Sequence, residues 1–290
     1  MPSNHSKSMT GKICMVTGAT SGIGKVTAYT LASRGAELIV AGRNQQKAED
    51  TVRWIKSGTG NDTIHYLLAD FSDLQQVREM ATIFRERYER LDVLVNNAGA
   101  FFNTRQKTPY GVEMTLLVNH LAPFLLTNML LDRLKSSPQA RIVNVSSDAH
   151  KYDTMDFNDL GFNRGYSGMK GYARSKLANI LFTYELARRL SEYEVTANAL
   201  HPGHIATDIW RTNFSIIGPV LKWVMSFFAL SPEEGADNTI YLASSPEVKG
   251  LTGKYFVKRE AVPSSPISYD KNVVQRLWEI SAGLTSSEAT

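Results

Sequence analysis

Cysteine is almost missing from this sequence: Cys14 is the single one in 290 residues. That excludes an intramolecular disulfide framework and a thiolate zinc site, and it makes the cytoplasm the expected compartment. Histidine is scarce too, six in all, and His201 and His204 form no metal-ligand pattern with a nearby carboxylate or a third histidine, so no metal is expected. Charge of one sign is nowhere concentrated. The 32 Lys and Arg alternate with 28 Asp and Glu, and a net charge of +4 spread in this way reads as a solvated surface rather than a nucleic-acid partner. There is no low-complexity block and no internal repeat, and 43% hydrophobic with 21% charged residues suits one large α/β domain. Long apolar runs are also lacking. The most apolar stretch, Phe214 to Leu230, is interrupted by Gly218, Pro219 and Lys222 and is too short for a membrane span. Met1 to Thr10 is polar, without the apolar centre of a signal peptide, and is expected to be a disordered tail.

What is present begins with Tyr172-Ala173-Arg174-Ser175-Lys176. If residues 171 to about 191 form a helix, Tyr172 and Lys176 sit at i and i+4 on one face, and the ammonium faces the phenol. A free phenol titrates near pH ~10. A neighbouring cation favours phenolate and lowers that value, which would suit Tyr172 to exchange a proton as general acid or base. Taken alone, the pair is also what an ordinary helix face with a snorkelling lysine looks like.

Elsewhere, apolar strand-like runs alternate with helical stretches. Lys12 to Thr17 runs into Gly18-Ala19-Thr20-Ser21-Gly22-Ile23-Gly24, followed by a helix over Lys25 to Arg34. Strand, glycine turn and helix start together make a phosphate cradle, because glycine lets the backbone approach closely and the first N–H groups of the helix are free. Glu37 to Ala41 is the next run and leads to Arg43 and Asn44, where a dinucleotide fold usually presents an acidic residue to the adenosine ribose. A guanidinium there suits a 2'-phosphate and points to NADP(H); the bland reading is that Arg43 simply starts a solvated helix. Thr63 to Ala69 delivers Asp70 and Phe71 to the ligand edge of the sheet, and Leu91 to Val95 leads into Asn96-Asn97-Ala98-Gly99, small residues against which a flat cofactor could lie. Pro109 to Leu134 reads as one long helix with Asn119 in apolar company. That amide is either bonded to main chain as a structural element or holds a water or carbonyl in a proton path towards Lys176. Arg141 to Val145 ends at Ser146-Ser147, and Val195 to Leu200 ends at His201-Pro202-Gly203, with Ile205 and Thr207 just beyond. Ser231 to Ser244 is a helix, Gly253 to Val257 a seventh strand, and residues after about Pro263 a C-terminal extension with a short helix over Asp270 to Ile280. The alternation predicts a single doubly wound Rossmann domain over residues 11–262, a parallel seven-stranded sheet with helices on both faces.

In this order the motifs resemble the short-chain dehydrogenase/reductase family over Gly11 to Val257: Thr-Gly-x-x-x-Gly-Ile-Gly at Thr17 to Gly24, Asn-Asn-Ala-Gly at Asn96 to Gly99, Asn119, the Ser146-Ser147 pair, Tyr172 to Lys176, and Pro202-Gly203. The resemblance implies a catalytic tetrad of Asn119, Ser147, Tyr172 and Lys176, with Ser147 preferred to Ser146 because the family uses the second serine. It implies that Ser147 bonds the substrate oxygen, Tyr172 transfers the proton, Lys176 lowers the phenol pKa and holds the nicotinamide ribose, and Asn119 supports a water relay. It also implies contacts of Ile205 and Thr207 with the nicotinamide carboxamide or a phosphate, and of Asp70 with adenine.

Ser147 and Tyr172 lie 25 positions apart, about twice the usual family spacing. With Ser-Lys-Leu-Ala-Asn at Ser175 to Asn179 and Asn-His-Leu-Ala-Pro-Phe at Asn119 to Phe124, this resembles the retinol dehydrogenase branch. The implied activity is hydride transfer between NADP(H) and a lipophilic aldehyde, ketone or alcohol. A reductase of a cyclic or conjugated substrate, such as a steroid ketone or a protochlorophyllide-like pigment, shares the tetrad, and a cofactor-sensing protein without turnover is the non-enzyme alternative. The apolar segment 209–230 is expected to cover the substrate as a lid, with a peripheral membrane contact or a homo-oligomer contact as other uses for its surplus apolar surface.

Overall fold

The computed structural model describes residues 7–203 and 231–286. The apolar runs form strands buried on both faces, which requires helices above and below the sheet. The strands are β1 (Ile13–Thr17), β2 (Glu37–Gly42), β3 (Ile64–Leu68), β4 (Val93–Asn96), β5 (Ala140–Val145), β6 (Val195–His201), β7 (Tyr255–Val257) and β8 (Glu260–Val262). They lie in the order β3-β2-β1-β4-β5-β6-β7-β8. Pairing is parallel from β3 through β7.

The expected seven strands are present, and an eighth pairs antiparallel with β7 through Phe256 and Ala261. A tight turn at Lys258 and Arg259, both at positive φ of 49° and 66°, makes that hairpin. Three residues without alternation gave no strand signal.

Reversal of strand order between β1 and β4 opens a crevice at the carboxyl ends of these two strands. Register then brings Thr17, Asn96, Val145 and His201 to one edge. One face of the sheet packs Met15, Leu94 and Ile142 against Val77, Leu126 and Leu181. The other packs Val16, Val95 and Leu200 against Leu31, Ile55 and Leu242.

Three sequence expectations change. Packing starts before residue 11, since Met9 is buried and its N–H reaches the Arg34 carbonyl at 2.9 Å, so the disorder expected through Thr10 does not hold at Met9. The long helix expected over Pro109 to Leu134 is broken. Residues 107–113 form a loop closed by a Lys107–Glu113 bridge. Glu113 caps a short helix, α4 (Met114–Leu116), and a π-helical turn at Leu117–Leu121 precedes α5 (Ala122–Met129) and α6 (Leu131–Lys135). Pro123 explains the widening, because it has no N–H to give to the carbonyl four residues back.

The C-terminal extension packs against the domain. Its helix, α9 (Lys271–Ser286), runs further than expected and sets Trp278 against Phe124 and Phe182 with ring centroids 4.9 and 5.8 Å away. His120 Nε2 and Ser281 Oγ lie 2.8 Å apart. The segment 209–230, and with it the expected lid, membrane or subunit contact, lies outside the described residues.

Candidate active site

The glycine turn joins β1 to α1 (Gly22–Ser33). Gly18 has φ of 65°, and a Cβ there would stand 2.9 Å from the Ala98 Cα; a Cβ on Gly24 would stand 2.4 Å from Asn97 Nδ2 and from the Gly18 carbonyl oxygen. Only glycine permits these approaches. Asn97 ties the turn down, its Nδ2 donating to the Thr17 carbonyl at 2.8 Å and to that of Gly18 at 3.3 Å. Thr17 returns the tie: its Oγ1 accepts the N–H groups of Asn97 and Ala98, both at 3.0 Å. Thr17 was missed as a site residue, although a hydroxyl at the last position of a strand facing an Asn-Asn turn is a readable signal. Asn96 turns inward instead and donates to Asn144 Oδ1 at 2.8 Å and Thr127 Oγ1 at 3.0 Å.

The start of α1 suits a phosphate. Ser21, at the N-cap, makes no side-chain capping bond, and the first turn holds no acid, so the N–H groups of Gly22 and Ile23 keep their positive end uncompensated. At the end of β2, Arg43 is exposed and stands 3.8 Å from Asp70, whose Oδ1 accepts the Ser72 N–H and hydroxyl. Phe71 is buried in the core. Asn44 caps α2 (Gln45–Thr59) by accepting the Lys47 N–H at 2.9 Å, so its side chain is committed to that helix. The glycine turn and the free N–H groups at the start of α1 fit the diphosphate of a dinucleotide. Pro202 and Gly203, with φ of 92° at the glycine, continue the edge, while Ile205 and Thr207 lie outside the described residues.

The helix carrying Tyr172 and Lys176, α7 (Gly168–Arg189), starts three residues earlier than expected and is capped by Ser167. The i, i+4 spacing holds: the Lys176 Nζ lies 5.4 Å from the Tyr172 ring centroid. Lys176 is buried and donates to the Val145 carbonyl at 3.0 Å. Ser146 and Ser147 divide the work at the end of β5. Ser146 is buried and donates to the Lys176 carbonyl at 2.7 Å, a structural bond. Ser147 is half-buried, accepts the Ala149 N–H at 3.2 Å, and hydrogen-bonds the Tyr172 phenol. Phe101 meets the Tyr172 ring edge-on at 5.9 Å.

The electrostatics correct one expectation. Burial pushes the Tyr172 phenol up to about 12, and the bond from Ser147 only partly offsets this. Lys176 is itself pulled down to about 8 by burial, so it keeps its charge at neutral pH but does not make Tyr172 a phenolate. Desolvation thus raises the phenol, where a lowering by the neighbouring lysine was expected.

Asn119 sits in the π turn with every side-chain atom committed. Its Nδ2 donates to the Ala100 carbonyl and to Ser175 Oγ, both at 2.9 Å, and its Oδ1 accepts the Ala100 N–H at 2.7 Å. These bonds staple the loop after β4 to α7.

Sequence reasoning also missed how the long loop after Ser147 is held. Arg174 is buried, its Nε donates to Asp153 Oδ2 at 3.1 Å, its Nη1 to the Asp159 carbonyl at 2.9 Å, and its guanidinium lies 3.7 Å from the Phe162 ring centroid. Arg105 stitches the loop after β4 to the same structure through Gly161 O and Asn163 Oδ1, both at 2.6 Å. Among the described residues no cluster of three His, Cys, Asp or Glu gathers to hold a metal, and no helix is long and apolar enough to cross a membrane.

A doubly wound sheet with a glycine turn at its switch point and a buried Tyr-Lys pair beside a serine defines a nucleotide-dependent oxidoreductase class. The comparison with known proteins agrees. The family described as short chain dehydrogenase matches residues 12–216, and the chain belongs to that family of oxidoreductases, which bind a nicotinamide cofactor. It is retinol dehydrogenase-like: Homo sapiens retinol dehydrogenase 14 is 42% identical over 290 residues, with 94% of this chain and 86% of that protein covered. Homo sapiens retinol dehydrogenase 13 is 42% identical over 288 residues, covering 96% and 86%. Among solved structures, an uncharacterized protein from Mycobacterium paratuberculosis superposes with a TM-score of 0.77 at 32% identity, covering 97% of this chain and 96% of that one. Pseudomonas aeruginosa RhlG with NADP in its active site gives 0.70 at 25% identity, covering 87% and 96%.

Proposed function

We propose that the protein is an NADP(H)-dependent oxidoreductase acting on a lipophilic aldehyde or ketone and the matching alcohol, with Tyr172 as the proton-transferring group. The observation that carries this reading is the buried Tyr172 phenol, hydrogen-bonded to Ser147 and facing the Lys176 ammonium on one helix face. Bound nicotinamide supplies or takes up the hydride. Gly18, Ser21, Gly22, Ile23 and Gly24 hold the diphosphate, Arg43 the ribose phosphate, and Ala98 and Gly99 the flat side of the dinucleotide, with Asn97 fixing their turn.

Ser147 holds the substrate oxygen by its hydroxyl. Tyr172 arrives with its proton in place, because burial keeps the phenol neutral, and it gives that proton to the oxygen as negative charge develops there. Lys176, charged at neutral pH, faces the phenolate left behind and stabilises it, so its part in catalysis falls after the proton has moved rather than before. In the oxidative direction the same groups run in reverse.

A lipophilic substrate is supported by the relatives' own names and by Phe101 at the Tyr172 ring. Each buried methylene contributes ~0.8 kcal/mol. With NADPH, kcat/KM should therefore rise several-fold per carbon along a series of aliphatic aldehydes until the pocket is full, and NADH should serve far less well. A flat series, or no turnover with either cofactor, would overturn the reading.

A further inference from the structure

The two histidines nearest the candidate serine have no part in the chemistry above, yet both touch the same peptide. The bond between Ser147 and Asp148 follows directly on the hydroxyl that is hydrogen-bonded to Tyr172. Its carbonyl oxygen lies 2.7 Å from His150 Nδ1 and also accepts the His150 N–H at 3.1 Å. Its N–H, on Asp148, donates to His201 Nδ1 at 3.3 Å. His150 and His201 are both buried and come from different parts of the fold, the turn after β5 and the end of β6.

The partners fix the protonation of both rings. The Ser265 backbone N–H, which can only donate, points at His150 Nε2 at 3.0 Å. That nitrogen therefore carries the lone pair, and the ring proton is on Nδ1, aimed at the Ser147 carbonyl, which can only accept. For His201 the logic is opposite. Its Nδ1 accepts the Asp148 N–H, so its proton is on Nε2, 3.9 Å from Asp148 Oδ2. Tyr255 completes the frame, packing edge-on against His150 at 4.9 Å and donating its hydroxyl to Asp148 Oδ1 at 3.0 Å.

We propose that His150 and His201 are positioning residues: neutral imidazoles of opposite tautomer that hold the two ends of the Ser147–Asp148 peptide and thereby aim the Ser147 hydroxyl at Tyr172. The inference rests on the reading of Ser147 as the group that meets the substrate oxygen. The physical reason is simple. Ser147 is extended, with φ of −166° and ψ of 154°, and rotation about that ψ would swing the following peptide out of both imidazole bonds at once. Because His150 is braced by Ser265, the C-terminal segment reaches the serine through a single ring.

Two measurements test this. In the wild-type protein without substrate, imidazole nitrogen NMR should show His150 as the Nδ1–H form and His201 as the Nε2–H form; the reverse forms, or rings exchanging between both, would overturn the clamp. In steady-state kinetics, His150→Phe keeps a ring against Tyr255 but loses both bonds, and kcat should fall ~10- to 100-fold, the scale of a misplaced catalytic group, with NADPH affinity unchanged. His150→Asn returns an amide N–H to the Nδ1 position and should recover most of that loss. His201→Leu and His201→Asn form the matching pair at the other end, with the amide oxygen restoring the acceptor, and they decide the question if His150→Phe does not fold. Wild-type kcat in folded His150→Phe and His201→Leu, or no recovery in either Asn variant, would refute positioning. If the wild type turns over no carbonyl substrate at all, the functional reading fails, while the NMR still judges the clamp.

Discussion

The two sides of the sheet edge are held by different forces. On the side of β1 and β2, the glycine turn is fixed by close packing and by neutral donors: Thr17, Asn97 and glycines whose missing side chains leave room for main chain. On the side of Tyr172, the loops after β4 and β5 are drawn together by long charged side chains, Arg105 and Arg174, reaching carbonyls and Asp153. The first kind of edge leaves little freedom to vary, because a single methyl group meets backbone. The second can lengthen, since its contacts are made by reach. The 25 positions between Ser147 and Tyr172 fall on the side that can absorb them.

Substitutions can pull the two sides apart. Tyr172→Phe should show the largest effect, a loss of ~100- to 10,000-fold in kcat because only the transferable proton is gone. NADPH affinity and the melting temperature should stay near wild type, since the glycine side does not use the phenol. Retention of more than about a tenth of the activity would remove Tyr172 from the chemistry.

Arg174→Met should strike the other side's framework. It leaves the largely covered Asp153 without its partner, and breaking a fully buried ion pair from one end costs about 3 to 5 kcal/mol, so a loss towards the lower end of that range is expected. Urea unfolding should show that loss, and Arg174→Lys should recover part of it; an unchanged midpoint would mean that the loop is held by its apolar contacts alone. Arg43→Ala works in the opposite sense. It should leave stability alone and weaken NADPH binding by about one to two orders of magnitude, narrowing the gap to NADH. Equal affinity for the two cofactors in the wild type would contradict the role given to Arg43.

The smallest effect is a pH dependence at the joint between the π turn and α9. Burial holds His120 down to about 3, whereas in the unfolded chain it titrates near its ordinary value of 6.5. Below that value the unfolded state takes up a proton that the folded state refuses. Stability therefore falls as pH drops from 6.5 towards 3 and is unaffected above. At about pH 5 this one group should remove about 2 kcal/mol. His120→Gln should flatten that part of the urea-midpoint profile even if it lowers the whole curve; an unaltered slope would mean that the ring titrates normally.

These regions also differ in how far they could be read from sequence. The glycine turn, Asn97 and the Tyr172 helix were legible because their geometry is set by local spacing: strand, turn and helix in succession, or two residues one helical turn apart. The break in the helix through Asn119 was not, because Pro123 in an apolar helix gives no sign of whether the turn before it will widen. Nor was the bracing of Ser147, since His150, His201 and Ser265 are joined only after β5, β6 and the C-terminal segment have come together. The ionisation of Tyr172 was misjudged for the same reason. Spacing revealed the neighbouring lysine, but the degree of burial, which decides the direction of the shift, belongs to tertiary structure.

That ionisation is also where the account is most exposed. It holds that Tyr172 reaches the reaction as a neutral acid, with lysine acting on the phenolate only after the proton has left. The direct measurement is the near-ultraviolet phenolate absorbance of the wild-type protein minus that of Tyr172→Phe, followed from neutral to alkaline pH without cofactor. The account predicts no difference up to and beyond pH ~10, the ordinary phenol value. One phenolate titrating near neutral pH in the wild type and absent from the variant would contradict it.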